Sequence, residues 1–296
     1  MMLGGSMVAL VTPMEPTGAL DETCLRSLIE THIAAGTQAI SVIGTTGEAP
    51  TLTESERKKI IEIAVETASG RVPIIVGTGT YNTMETLYLT EQALELGADA
   101  CLIVTPYYNR PTQEGLYQHY RTIAESVSIP IILYTVPKRT GCDLSVETIE
   151  RLTDFPNIIG LKEASGDLAK AREILARVGD RIDLYTGDDA SSLAFLLQGG
   201  KGTISVTANV APKEIRKMCE AALAKNIDLA GRLSTQLMPL HKTLFVEVNP
   251  IPVKWALAEL GWIKSGIRLP LTVLSDEYHE VVKEAMQIAG VIRCAH

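Results

Sequence analysis

Short apolar runs alternate with longer amphipathic segments from the start of the chain almost to residue 225. The runs fall at residues 7–11, 39–43, 72–76, 100–104, 129–134, 157–162, 182–185 and 202–206. Most are continuously apolar rather than alternating, the pattern of parallel strands covered on both faces. Between them the apolar positions take a helical spacing with recognisable ends. Asp21 precedes a helix carrying Leu25, Leu28, Ile29 and Ile33, and Gly36 closes it. Thr53 and Glu56 form a capping box ahead of Ile60, Ile61, Ala64 and Val65. Further helices are predicted at 83–96, 113–127, after Ser145, at 168–178, at 191–197 and at 212–225, the last with Pro212 in its first turn. Eight strand–helix units before residue 226 predict an α/β fold, a closed (β/α)8 TIM barrel rather than an open doubly wound sheet. Residues 226–296 read as helices only, at 228–240, 253–260 and 276–289. The expected division is a barrel of residues 1–225 and a C-terminal helical extension of residues 226–296.

Composition narrows the function classes. With 46% hydrophobic residues among 296, the chain has ample material for one large core. The net charge is −8 and no Lys/Arg block occurs, so a nucleic-acid surface is not expected. Cys24, Cys101, Cys142, Cys219 and Cys294 are widely spaced and form no CxxC pair, which argues against zinc ribbons and thioredoxin chemistry. Free thiols in a reducing compartment are the simpler reading. No basic segment followed by a long apolar stretch opens the chain, and no run approaches the ~20 apolar residues of a membrane span. A cytoplasmic enzyme or binding protein is expected.

In such a barrel the chemistry sits where the strands end. None of those ends carries histidine: His32, His119, His241, His279 and His296 fall in helices or the tail. With no HExxH and no clustered His/carboxylate set, a metal is not expected. Gly77-Thr78-Gly79 lacks the third glycine of a dinucleotide fingerprint, Gly200-Lys201-Gly202 lacks the Ser/Thr of a phosphate loop, and there is no Gly-x-Ser-x-Gly elbow. What remains is Lys162, at the end of the 157–162 run, with tyrosines, threonines and Arg139 at neighbouring strand ends. Two readings of Lys162 stand. It is a snorkelling lysine or one paired with Glu163, or it is an amine kept neutral to attack a carbonyl. A free lysine, with pKa ~10.4, is neutral in roughly one molecule in a few thousand at pH 7, and burial raises that fraction. The neighbours divide the same way. Tyr134 is a core tyrosine or a proton carrier, and Tyr107-Tyr108 is a packed loop, a subunit contact or part of a site. Thr45 and Thr46 are turn residues or, with Gly44 and Gly47, a carboxylate cradle. Arg139 is a solvated loop cation or the grip on a second carboxylate.

The motifs taken together carry a resemblance. Gly44-Thr-Thr-Gly-Glu48, Thr105-Pro-Tyr-Tyr-Asn-Arg-Pro111, Tyr134-Thr-Val-Pro137, Arg139-Thr-Gly141, Gly160-Leu-Lys-Glu-Ala164, Gly187-Asp-Asp189 and Asn249-Pro-Ile-Pro252 follow one another at family spacing. Over nearly its whole length the chain resembles the dihydrodipicolinate synthases, within the pyruvate-dependent class I aldolase family that includes N-acetylneuraminate lyase. The resemblance implies that Lys162 forms a Schiff base with pyruvate and that Tyr134 donates and accepts protons. It implies that Thr45 links Tyr134 to Tyr108 in a hydroxyl relay, with Tyr108 reaching in from a neighbouring subunit. Thr46 would bind the pyruvate carboxylate and Arg139 the carboxylate of L-aspartate 4-semialdehyde. Gly187 and the Ile204 backbone would line the site.

No cofactor is implied beyond the covalent imine. The implied product is the hydroxy-tetrahydrodipicolinate of the diaminopimelate route to lysine, and the implied assembly is a homotetramer built as a dimer of dimers. The Arg139-Thr-Gly141 segment favours the synthases over a pyruvate-dependent lyase acting on a sugar acid, the alternative on the same lysine. A non-catalytic barrel is the reading from another class. Thr135 and Val248 depart from the asparagine and proline usual at their positions. At the positions that line a lysine-feedback cleft in enterobacterial members, Glu54, Arg57 and Tyr81 replace the histidines and asparagine, while Glu85 and Tyr107 are kept. Weak or absent inhibition by lysine is expected.

Overall fold

The computed structural model describes residues 3–292, so Cys294, His296 and the outermost ends of the two expected segments lie outside the described residues. Eight parallel strands close in sequence order: β1 (Gly5–Ala9), β2 (Ala39–Val42), β3 (Ile74–Gly77), β4 (Ala100–Val104), β5 (Ile131–Thr135), β6 (Ile158–Glu163), β7 (Asp183–Thr186) and β8 (Gly202–Ser205), with β8 paired back to β1. Around them run α1 (Glu22–Ala35), α2 (Glu54–Ala68), α3 (Thr83–Glu95), α4 (Gln113–Ser126), α5 (Pro137–Thr140), α6 (Val146–Leu152), α7 (Leu168–Val178), α8 (Ser192–Leu197) and α9 (Pro212–Leu223). The C-terminal helices α10 (Ile227–Thr243), α11 (Ile251–Glu259) and α12 (His279–Ile288) follow, α10 packing on both α9 and α12. The expected barrel with a helical extension is the observed architecture. No helix among the described residues is long and apolar enough to cross a membrane.

Strand parity sorts the apolar runs into two cores. Met7, Ala9, Ile132, Tyr134, Tyr185 and Ile204 fill the barrel interior. Their sequence neighbours Val8, Ile131, Leu133 and Leu161 face the helix layer. Successive side chains of a strand point to opposite faces. Leu161 outward therefore sends Lys162 inward and Glu163 outward.

The runs overshoot the strands because burial, rather than pairing, makes a residue apolar. Val11 follows β1, while Val72 and Ile129 precede β3 and β5, and all three are core residues outside the strands. α5 has four residues, too few for a helical period to show. The last helix begins at His279 rather than Asp276, since Asp276–Tyr278 form a 3₁₀ turn.

The extension also ties down the loops at the carboxyl ends of the strands. Lys254 of α11 makes a buried ion pair with Glu48, in the loop after β2. The Arg268 backbone N–H donates to the second carboxylate oxygen of Glu48 at 3.2 Å. Its guanidinium pairs with Glu56 and donates to the Thr51 carbonyl at 2.8 Å.

Candidate active site

Lys162 enters the barrel at the level of Tyr134, its direct register partner on β5. Its Nζ lies 4.5 Å from the centroid of the Tyr134 ring. The residue is only 6% exposed. Removal from water lowers its pKa to about 8; the Arg139 charge pushes the same way, and the Asp189 carboxylate opposes both. Among the described residues no carboxylate lies within ion-pair distance of Lys162. The pairing with Glu163 does not occur: Glu163 points away and accepts from the Ser165 backbone N–H at 2.9 Å. Burial raises the pKa of the Tyr134 hydroxyl, and the Thr45 hydroxyl and the Arg139 charge pull it back down.

Two glycines make this arrangement possible. A Cβ at position 187 would stand 2.5 Å from Lys162 Cε, so the loop after β7 approaches the lysine only as glycine. A Cβ at position 77 would stand 2.2 Å from the Ile43 carbonyl, so Gly77 admits the backbone that carries Thr45 and Thr46. That backbone is unusual in itself, with left-handed φ of 57° at both Ile43 and Glu48. Such conformations persist where surrounding contacts over-determine them. Thr12 Oγ1 donates to the Gly47 carbonyl at 2.7 Å, and the Lys254–Glu48 pair holds the end of the same loop.

The result is a cavity of about 720 Å³ above the lysine. Lys162, Tyr134, Thr45, Thr46, Arg139 and Gly187 all line it. Arg139 rides on α5 at the mouth, where its Nη2 donates to the Asn249 carbonyl at 3.0 Å. Two predicted residues stand apart. Ile204 is fully buried in the barrel interior, so only its backbone is suited to a site. Tyr108 sits on the loop after β4 with φ of 70° and 92% of its surface exposed, outside the cavity of its own chain.

The sequence reading assigned no role to two residues of this region. Asp189 is buried, and its Oδ2 accepts from the Val206 and Thr207 backbone N–H groups at 3.0 and 2.9 Å, tying the β7 loop to the end of β8. Asn249 lines the cavity from the extension and donates to Thr46 Oγ1 at 3.0 Å. Asp189 and Asn249 belong to motifs already noted, Gly187-Asp-Asp189 and Asn249-Pro-Ile-Pro252. That was the available signal, but spacing alone does not show what they touch. Among the described residues no group of three His, Cys, Asp or Glu side chains is placed to hold a metal.

A closed eight-stranded barrel with a desolvated, unpaired lysine facing a tyrosine at the strand ends has the form of a class I aldolase type of lyase. The chain belongs to the dihydrodipicolinate synthetase family, whose model matches residues 2–289. It is 58% identical over 292 residues to the 4-hydroxy-tetrahydrodipicolinate synthase of Nitrosococcus oceani, covering 99% of this chain and all of that one. The enzyme of the same name from Pseudomonas aeruginosa is 55% identical over 98% of this chain and 100% of its own length. Among solved structures, the chloride-inhibited dihydrodipicolinate synthase of Acinetobacter baumannii, complexed with pyruvate, matches with a TM-score of 0.97. It is 49% identical, with 98% of this chain and 100% of that one covered.

Proposed function

We propose that this chain condenses pyruvate with L-aspartate 4-semialdehyde to 4-hydroxy-tetrahydrodipicolinate, through an imine on Lys162, in the diaminopimelate route to lysine. The observation that carries the reading is the unpaired Lys162 amine, with its pKa lowered to about 8, held against Tyr134 beneath Arg139. The neutral amine attacks the keto carbon of pyruvate to give a carbinolamine, which loses water to an iminium. The iminium is the electron sink, so no separate cofactor is needed. Loss of a methyl proton gives the enamine, whose carbon bonds to the aldehyde carbon of the semialdehyde while the aldehyde oxygen takes up a proton. The amino group of the second substrate then displaces Lys162 and closes the ring, for a net loss of one water.

In this scheme Tyr134 moves the protons and Thr45 orients its hydroxyl. Thr46 holds the pyruvate carboxylate, Arg139 the carboxylate of the semialdehyde, and Gly187 and the Ile204 backbone shape the wall. Tyr108 joins the relay from a neighbouring subunit; its exposure outside its own cavity supports that role and, with it, a homotetramer built as a dimer of dimers. The cytoplasm is the compartment proposed, where reduced thiols such as those of Cys101 and Cys219 stay free.

Borohydride reduction in the presence of pyruvate, read by intact and peptide mass, should place the adduct on Lys162. No adduct there would leave a non-catalytic barrel. Coupled consumption of pyruvate and aspartate semialdehyde then separates the synthase from a sugar-acid lyase, which would form the adduct yet ignore the semialdehyde.

A further inference from the structure

We propose that Asn249 is a positioning residue that turns the Thr46 hydroxyl into a hydrogen-bond donor for the keto-acid carboxylate, an inference that rests on the pyruvate reading above. Asn249 comes from the extension, between α10 and α11, and is 5% exposed. Its Nδ2 donates to Thr46 Oγ1 at 3.0 Å. Thr46 is itself buried, and its hydroxyl donates to no acceptor among the described residues. A hydroxyl has one proton and two lone pairs. With one lone pair taken by the amide and no internal acceptor, its proton is left for the cavity, where an anionic group makes the stronger bond.

A role in packing alone does not explain an amide at this position. Asn249 Oδ1 is buried with no partner among the described residues. A buried polar atom without a partner is a cost that an apolar side chain of the same shape would avoid. The amide earns its place through the one bond that it does make. The Asn249 backbone also reaches the second subsite, since its carbonyl accepts from Arg139 Nη2 at 3.0 Å. One residue of the extension thus touches both proposed carboxylate-binding side chains, Thr46 by its side chain and Arg139 by its main chain. Substitution of the side chain should disturb only the first.

The test is steady-state kinetics and borohydride trapping with pyruvate for the wild type, Asn249→Ala, Asn249→Asp, Thr46→Val and the Asn249→Ala/Thr46→Val double variant. Asn249→Ala should raise the pyruvate KM about tenfold or more and leave the semialdehyde KM within about threefold. Asn249→Asp should be worse. A carboxylate only accepts, so it draws the Thr46 proton to itself and sets a negative charge against the keto acid. Once Thr46 is valine, Asn249→Ala should cost little more, because both changes remove the same interaction. Asn249→Asp keeps the side-chain volume, so a folding defect in Asn249→Ala leaves the question decidable.

Equal rises in both KM values would mean a structural role and overturn the proposal. So would a wild-type pyruvate KM in Asn249→Asp, which would mean that Thr46 donates to the amide, and so would full additivity in the double variant. A wild type that forms no pyruvate adduct would sink the functional reading itself. A normal wild-type adduct with unchanged pyruvate kinetics in Asn249→Ala would sink this inference alone.

Discussion

At the scale of single residues, the governing quantity is the free energy of the Lys162 charge. Its pKa of about 8 leaves about a tenth of the amine neutral at pH 7, against roughly one in a few thousand for a free lysine. Only the neutral amine attacks. The rate of borohydride-trapped adduct formation at low pyruvate should therefore rise with pH, about tenfold from pH 7 to 9, and level off above. A rate still climbing about tenfold per pH unit above pH 9, as for a free lysine, would show that desolvation does not control the amine. The Arg139 charge is part of what disfavours the ammonium, so Arg139→Ala should move the midpoint upward and slow trapping at pH 7. Gly187 is as demanding for a steric reason. Gly187→Ala puts a methyl group 2.5 Å from Lys162 Cε, and the lysine has to move. Trapping should fall about 100-fold with the far-ultraviolet circular dichroism unchanged; near-normal trapping would mean that the loop gives way instead.

At the scale of elements, the loop after β2 is held from outside the barrel. Glu48 and Lys254 are almost wholly removed from solvent, with side chains 0% and 4% exposed. Loss of one partner leaves the other charge buried alone. Lys254→Met should destabilise the protein by about 3–5 kcal/mol, and Lys254→Met/Glu48→Gln should recover part of that loss. Urea unfolding of the three proteins checks this, and a single variant as stable as the wild type would show the pair to be dispensable. Elements with strong local signals were legible in advance. The Thr53–Glu56 capping box opens α2 where expected, and Asp21 and Gly36 cap the two ends of α1. α5 was not legible, because four residues carry no period, yet it is the element that brings Arg139 to the mouth of the site.

At the scale of the whole molecule, the exposed Tyr108 makes a prediction about partnership. If each site takes Lys162 from one subunit and Tyr108 from another, two crippled variants should complement. Co-refolded Lys162→Ala and Tyr108→Phe subunits, each nearly inactive alone, should regain activity in about a quarter of the sites. Activity no greater than the sum of the separate variants would confine the site to one chain. The lysine response belongs to this scale too. Arg57 donates to the Ala49 carbonyl at 2.5 Å, and Glu54 is engaged by Lys58 at 2.9 Å and Tyr88 at 2.8 Å. A cleft with a cation at Arg57 and an occupied carboxylate at Glu54 is poorly suited to an amino acid's ammonium group. Millimolar lysine should leave most of the activity in place, and strong inhibition in a titration would refute this.

The amino-acid sequence by itself determined the count and order of the strand–helix units, the barrel they imply and the candidate residues at the strand ends. Burial on both faces writes each strand as an apolar run, and caps mark the helices locally. It also singled out Lys162, because a charge closing a buried run stands out. Tertiary structure alone decided which way that lysine points and what it meets. Whether a strand-end side chain enters the barrel depends on parity, a one-residue matter that continuous apolar runs conceal. The Asn249–Thr46 bond and the Lys254–Glu48 pair span 203 and 206 positions. No local pattern encodes contacts at that distance; closing the barrel and folding the extension back over it create them.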